Sequence, residues 1–302
     1  MSETLQSDFF LGVDGGATRC RARLRDAAGQ ALADVEGPAA NIYVDFERGL
    51  AVVRETTAQA LARGGLAAAD RARVALGVGL AGLSSRQEAA RVAAALPGWR
   101  AVSAVNDAIA ACLGAHGGAD GGLIIAGTGS AGAARVEGRD TIIGGRGFLL
   151  GDDGAAARIG ADALRAALRA HDGLQIASPL TQSVMRHFSD DPLAMLNWAL
   201  TAKPSDYGAF APQTLAAAAA GDAVAIPIVE AAAAALGALA AALEKLGAPR
   251  LVMVGGLAGP IRPYLPPSLA AKLRPPLFDA VDGAILAAGG VPPKQKEEGR
   301  RA

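Results

Sequence analysis

The chain has 302 residues, 51% of them hydrophobic and 19% charged, and its 29 basic and 29 acidic side chains cancel. That balance leaves no footprint for a polyanion, and 4% aromatic content leaves no base-stacking platform, so nucleic acid is not an expected partner. Cys20 and Cys112 are the only cysteines and form no C-x-x-C pair, which argues against a zinc site or a disulfide framework. The opening MSETLQSDFF lacks the basic flank and apolar core of a signal peptide. The alanine-rich stretch from Thr214 to Leu246 is broken by Asp222, Pro227 and Glu230 and reads as two buried helices turning near Gly221 rather than as a membrane span. A cytoplasmic protein without a membrane partner is expected, long enough for two domains.

The first element is the apolar run Phe9 to Val13, which stops at Asp14-Gly15-Gly16. Strand patterns follow at Arg19 to Leu24 and Ala31 to Val35, around a turn at Asp26 to Gly29, so the chain opens as a three-stranded meander. A helix is expected from Asp45 to Arg63, a buried strand from Val74 to Leu80, a helix from Arg86 to Leu96, and a strand from Ala101 to Val105 ending at Asn106-Asp107. The opening pattern then recurs. VDGGATRCRARL and IAGTGSAGAARV align with Gly15 on Gly127 and Thr18 on Ser130, and a third strand, Thr141 to Ile143, completes the second copy. This reads as an internal duplication or as a likeness of composition between two glycine-rich hairpins. Helices are expected over 155–170, 174–188, 195–200, 209–219 and 223–246, then a strand from Leu251 to Val254 ending in Gly255-Gly256, and a last helix from Asp282 to Ala288. The result is an α/β chain with an N-terminal lobe at 1–118, joined by a C-terminal helix at about 280–290, and a C-terminal lobe at 119–280. The glycine-rich stretch Gly114 to Gly122 is the expected boundary, and 291–302 an expected disordered tail.

Chemistry gathers at the strand ends. Gly15 and Gly16 allow backbone N–H groups to approach phosphate oxygens, Thr18 adds a hydroxyl, and Asp14 can hold hydrated Mg²⁺; an ordinary Asp-Gly hairpin turn is the alternative. Gly127-Thr128-Gly129-Ser130 is a second such turn. Asp107, between a strand and a helix, suits a catalytic base at the mouth of a sheet or an N-cap. GGRGFLLGDDG (Gly144 to Gly154) packs five glycines and two acids into eleven residues. There Asp152 can accept from sugar hydroxyls and Arg146 can donate, unless Asp152 or Asp153 caps the following helix. Gly255-Gly256 permits close approach to a base or ribose, or is a plain turn. His116, His171 and His187 show no ligand spacing.

In this order, VDGGATRC, VNDAIAA, IAGTGSAG, GGRGFLLGDDGA and VMVGGLAG resemble the BadF/BadG/BcrA/BcrD-type ATPase family, which contains N-acetylglucosamine kinase, glucosamine kinase and the activators of benzoyl-CoA reductase and 2-hydroxyacyl-CoA dehydratases. The resemblance implies two ribonuclease-H-like lobes of the actin/hexokinase type with ATP between them, and a C-terminal helix packing back on the first. It implies Asp14, Thr18 and Thr128 at phosphates and Mg²⁺, Gly255 and Gly256 at adenosine, and Asp107 as the base. It places sugar at Asn41, Gly129, Ser130, Gly145, Arg146 and Asp152, and implies an amino-sugar substrate and a homodimer. Two departures stand out: Arg146 replaces the usual Trp of GGWG, and GDDGA replaces GDEGS, leaving Ala155 for serine. The activator branch needs cysteine thiolates for a shared iron–sulfur cluster, and neither Cys20, within a strand, nor Cys112, within a helix, suits one. The zinc-holding hexokinase branch has a cysteine-rich motif absent here. ATP-dependent phosphorylation of N-acetylglucosamine at its 6-hydroxyl is the implied activity, with glucosamine or an ATPase switch as alternatives.

Overall fold

The computed structural model describes residues 8–16 and 18–293. The described residues fall into two compact units, one within Met1–Gly121, Glu137–Asp140 and Pro276–Ala302, the other within Gly122–Val136 and Thr141–Pro275. Residues 294–302 of the expected tail lie outside the described residues.

In the first unit, β1 (Phe9–Gly15), β2 (Cys20–Asp26) and β3 (Ala31–Gly37) form the meander, β1 pairing antiparallel with β2 and β2 with β3. α1 (Phe46–Arg63) follows, N-capped by the Asp45 carboxylate, which accepts from the Arg48 N–H. A 3₁₀ turn (Ala68–Arg73) leads to β4 (Val74–Leu80), then come α2 (Arg86–Ala94), β5 (Ala101–Asn106) and α3 (Asp107–His116). β1, β4 and β5 run parallel, giving the sheet order β3-β2-β1-β4-β5. All seven residues of VALGVGL in β4 are buried, as a central strand covered on both faces requires.

The second unit repeats this plan with β6 (Gly121–Ala126), β7 (Ser130–Val136), β8 (Arg139–Gly144), β9 (Leu251–Val254) and β10 (Leu273–Arg274) in the order β10-β9-β6-β7-β8. Strand for strand the two orders are the same, third-second-first-fourth-fifth, so the duplication is one of fold. The hairpin turns differ in length. β1 ends at Gly15 and β2 starts at Cys20, whereas β6 ends at Ala126 and β7 starts at Ser130. The first turn is closed by the Gly16 N–H on the Arg19 carbonyl, the second by the Gly127 N–H on the Gly129 carbonyl. The second turn is one residue shorter, so Ser130 corresponds structurally to Cys20 and not to Thr18.

Between β8 and β9 lie α4 (Ala156–His171), α5 (Pro179–His187), α6 (Pro192–Ala199), α7 (Pro204–Gly208), α8 (Ala211–Ala219) and α9 (Ala225–Lys245). The helix expected from 174 begins only at Pro179, because Ser178 caps it and proline suits its first position; Leu174 and Ile176 are exposed. α6 likewise starts at Pro192, capped by Asp191. Asp222 is buried and accepts from the Leu180, Val224 and Ala225 N–H groups, so it fastens two helix starts rather than interrupting one. Pro227 falls in the first turn of α9, which therefore runs unbroken for 21 residues. Among the described residues α9 is the one helix long and apolar enough to cross a membrane, and it lays Val229, Ala232, Ala233, Leu236, Ala240 and Leu243 on the core of the second unit. Short α10 (Ala258–Ile261), a 3₁₀ turn (Arg262–Tyr264) and α11 (Pro267–Lys272) precede β10, none of them foreseen from the sequence.

The last helix, α12 (Ala280–Ala287), packs in the first unit. Its backbone lies so close to the sheet and to α3 that side chains are barred at the contacts. A Cβ on Gly77 would stand 1.8 Å from the Ala284 carbonyl oxygen, and one on Gly283 1.7 Å from that of Ala110. Gly114 belongs to the same seam, 1.9 Å from the Asp279 carbonyl, and Gly121 packs on the His116 ring. Glycines of the stretch Gly114 to Gly122 are thus packing positions as well. Gly77→Ala should cost about 3 kcal/mol or more, since the obstacle is backbone that cannot repack. Gly237→Ala, within α9 and with open space around it, should raise stability by up to about 1 kcal/mol. Urea unfolding of both variants measures the contrast.

Candidate active site

The sheet order of the first unit brings two carboxylates to one strand end. Asp14 lies on β1 level with Gly79 of β4, and Gly79 is level with Val105 of β5, two residues before Asp107. Gly79 makes room for them: a Cβ there would stand 2.5 Å from the Ala110 Cβ and 3.7 Å from the Asp107 Cα. The helix cap is Asn106, whose Oδ1 accepts from the Ala108 N–H at 2.9 Å and whose Nδ2 donates to the Leu83 carbonyl. Asp107 is the first helical residue, and its Oδ1 shares the Ala108 N–H at 2.9 Å. Neighbouring Asn106 fills the capping role weighed for Asp107, which leaves Asp107 for another. Burial raises the Asp107 carboxyl above the ordinary range; the Ala108 N–H opposes this, and the charge of Asp14 adds to the rise.

Asp14 Oδ2 accepts from Arg21 Nη2 at 2.9 Å, and the aspartate side chain is 21% exposed. Gly15 is a close-packing position, since a Cβ would meet Leu80 Cδ2 at 2.6 Å and Ala40 Cβ at 3.1 Å, whereas Gly16 has room for one. Thr18 sits exposed in the turn. The Ala40 N–H donates to the Gly16 carbonyl, which brings Asn41 beside this strand end. Asn41 Oδ1 accepts from the Tyr43 and Val44 N–H groups, an Asx turn that holds the loop. Among the described residues no cluster of three His, Cys, Asp or Glu side chains could cage a metal. One or two carboxylates with exposed turn groups is instead the donor set of Mg²⁺, which keeps much of its water and takes its other ligands from substrate phosphates.

The second unit builds its strand end from backbone. Gly255, at φ +107°, packs against β6, where a Cβ would stand 2.3 Å from the Ala126 carbonyl, and Gly256 faces open space. Beside them is the Gly127 turn, with Thr128 exposed. The Gly127 and Thr128 carbonyls accept from the Ala156 and Ala157 N–H groups. These two bonds take the place of a side-chain cap on α4, whose N-cap is Ala155, so neither Asp152 nor Asp153 caps it. Asp152, left-handed at φ +57°, accepts from the Ser130 N–H at 3.3 Å and crowds Gly129, where a Cβ would stand 3.0 Å from Oδ2. Burial raises its carboxyl; the Ser130 N–H and the Arg158 charge oppose this, and Asp153 adds to the rise. The Ser130 hydroxyl is buried and donates to the Asp153 carbonyl at 2.7 Å, so it serves the loop itself. Gly145 donates its N–H to the Ser130 carbonyl. Arg146 is exposed and forms no ion pair with Asp153.

Four of the five loop glycines, Gly144, Gly145, Gly147 and Gly154, adopt positive φ, so backbone shape alone explains most of their density. Arg158, which the sequence did not single out, staples the loop: its Nη2 donates to the Phe148 and Gly151 carbonyls, and its guanidinium lies 5.0 Å from the Phe148 ring centre. Arg21 was also overlooked, although arginines at 21, 23 and 25 alternate along one face of β2, and the strand partners of Arg21 and Arg23 are Asp14 and Asp34.

The BadF/BadG/BcrA/BcrD ATPase family model matches residues 11–288. The glucosamine kinase of Vibrio cholerae is 35% identical over 282 residues, 93% of this chain and 96% of that protein. The N-acetyl-D-glucosamine kinase of Dictyostelium discoideum is 30% identical over 68% of this chain and 69% of its own length. A crystal structure from Chromobacterium violaceum, described as a candidate N-acetylglucosamine kinase, superposes with a TM-score of 0.84 at 34% identity, covering 93% of this chain and 99% of that one.

Asp107→Asn should stabilise the protein at neutral pH. A carboxyl whose native value lies above its unfolded one binds more protons when folded, so its contribution to stability falls as pH rises through that interval. The amide keeps the acceptor for the Ala108 N–H and removes the charge. Thermal unfolding should show a higher Tm for the variant at pH 7 and a difference that vanishes below about pH 3, where the carboxyl is protonated in both states.

Proposed function

Because the chain belongs to the BadF/BadG/BcrA/BcrD ATPase family, we propose that it transfers the γ-phosphoryl group of ATP to the 6-hydroxyl of an amino sugar, N-acetylglucosamine first. The observation that carries this reading is Asp107: a half-buried carboxylate, raised in basicity, at a strand end shared with Asp14 and relieved of the helix-capping role.

In this mechanism Asp107 accepts the proton of the sugar hydroxyl as its oxygen attacks the γ-phosphorus, while the bond to the β–γ bridging oxygen breaks and ADP leaves. A raised proton affinity makes Asp107 a better acceptor than an ordinary aspartate. Asp14, whose Oδ2 alone is engaged by Arg21, would hold Mg²⁺, and the ion would neutralise charge on the phosphates. Thr18, Thr128 and the Gly15, Gly16 and Gly127 backbones are the phosphate contacts of this reading. Gly256, with open space where a side chain would stand, and Gly255 beside it receive the adenosine. Asn41 keeps its amide N–H groups for the sugar, as its oxygen is engaged in the turn; Asp152, Gly129, Gly145 and Arg146 supply the remaining sugar contacts. Cys20 and Cys112 are buried and in no disulfide among the described residues, and burial lifts the Cys20 thiol to about 11, which speaks against a cluster-bearing activator and suits a reducing cytoplasm. A homodimer is the assembly expected for this activity.

Purified protein tested over a panel of hexoses and hexosamines should consume ATP only with an amino sugar present. Asp107→Asn should retain nucleotide binding and lose turnover by roughly two to four orders of magnitude. Sugar-independent hydrolysis, or a variant within a few-fold of wild type, contradicts the assignment.

The Vibrio cholerae relative favours glucosamine as a second substrate reading. Arg146 decides between them by charge. Exposed and without an ion pair, its guanidinium can donate to an amide oxygen but repels an ammonium group. Near the 2-substituent it would favour the acetylated sugar by roughly tenfold or more. Arg146→Trp should therefore shift the kcat/KM ratio of the two sugars toward glucosamine; an unchanged ratio removes Arg146 as the discriminating group.

A further inference from the structure

Asp14 does not stand alone at its strand end. Its Oδ2 is held by Arg21 Nη2, and the same guanidinium reaches Asp279 Oδ2 through Nη1 at 3.1 Å. Asp279 is the N-cap of α12 and accepts from the Asp282 N–H, so its position is fixed by the helix it starts. Asp279 also accepts from Arg23 Nη1 at 3.2 Å, Asp282 binds both Arg23 and Arg25, and Arg23 Nε reaches Asp34 at 2.8 Å. Arg21, Arg23 and Arg25 thus form a ladder along one face of β2, clamped by the first turn of α12. Arg21 is about one quarter exposed, and its Nε is buried without an acceptor, so it is not a loose surface side chain.

We propose that Arg21 is the built-in counter-cation of Asp14: it orients the metal-side carboxylate and keeps divalent cations from binding there ahead of the nucleotide. This deepens the reading of Asp14 as the Mg²⁺-side residue and rests on it. The argument is one of charge. A divalent cation held through water at Asp14 would stand within several ångströms of a guanidinium anchored by Asp279, and solvent screens that repulsion less at a part-buried site than at the surface. The phosphates of a nucleotide supply the negative charge that tips the balance, so metal and nucleotide arrive together. Burial works against the Arg21 charge, yet the hydrogen bond and charge of Asp14, joined by the charge of Asp279, outweigh it and keep the guanidinium protonated. A purely structural role for Arg21 predicts the opposite sign: loss of the side chain would loosen the strand end and weaken every ligand.

The test is direct binding of Mg²⁺ alone, without nucleotide, by titration calorimetry. Arg21→Gln should bind Mg²⁺ at least about tenfold more tightly than wild type, and Arg21→Lys, which keeps the charge, should stay within about threefold of it. Asp279→Asn preserves the N-cap, removes one carboxylate and leaves Arg21 to Asp14, so it should bind Mg²⁺ no more tightly than wild type. A Gln variant whose Mg²⁺ affinity equals or falls below that of wild type overturns the proposal, as does a tighter-binding Asp279→Asn protein. Sugar-dependent ATP turnover by the wild type is measured in parallel. Its absence would defeat the proposed function while leaving the metal comparison interpretable.

Discussion

Two carboxylates share the end of one sheet, each half-buried and so only partly screened by water. Asp14 and Asp107 are brought there by the parallel alignment of β1, β4 and β5, and Gly79 between them lets α3 settle against the strand end. The crowding is visible in Asp107, whose proton affinity rises through burial and through the charge of Asp14. A carboxylate pair of this kind is unstable unless something offsets it. Here the offset comes from β2, where Arg21 faces Asp14, and from α12, whose Asp279 and Asp282 hold the arginine ladder. The glycine seam follows from the same need. Gly12, Gly77, Gly114 and Gly283 let α12 come close enough for its first turn to reach β2.

The second unit repeats the strand order and does something different with it. Strand-end alignment sets Asp14 against Ile125, so the repeat has no carboxylate at that place. It offers backbone instead: the Gly127 turn, the Gly255-Gly256 turn beside it, and a loop bent by positive-φ glycines and stapled by Arg158. Asp152 is its acid, held over Gly129 by the Ser130 N–H. One unit thus presents carboxylates with a guanidinium counter-charge, the other mostly glycine backbone open to close approach.

Much of this was readable from residues alone, for physical reasons that differ by element. β4 and β9 are continuous apolar runs that only a covered strand satisfies, and both were placed within their observed bounds. Asp107 announced itself by standing between a strand and a helix, yet its neighbour Asn106 does the capping, a choice between adjacent side chains that sequence pattern does not resolve. Leu174 and Ile176 looked like helix and are exposed coil, because Ser178 and Pro179 set the start of α5. The letter-by-letter alignment of the two hairpins concealed a one-residue difference in turn length, which appears only when strand ends are compared. Arg21 escaped because its second partner, Asp279, is 258 residues away. Alternating arginines on a strand look like a solvated face until a distant helix is known to cover them.

The central claim is that these two carboxylates serve transfer of a phosphoryl group to a sugar rather than to water. Phosphorus NMR of a reaction containing the protein, Mg·ATP and N-acetylglucosamine or glucosamine tests it at the level of the bond formed. The account predicts a sugar phosphomonoester signal, split by the two protons on carbon 6, growing in step with ADP. Growth of inorganic phosphate alone, or no loss of ATP with either amino sugar, would contradict it.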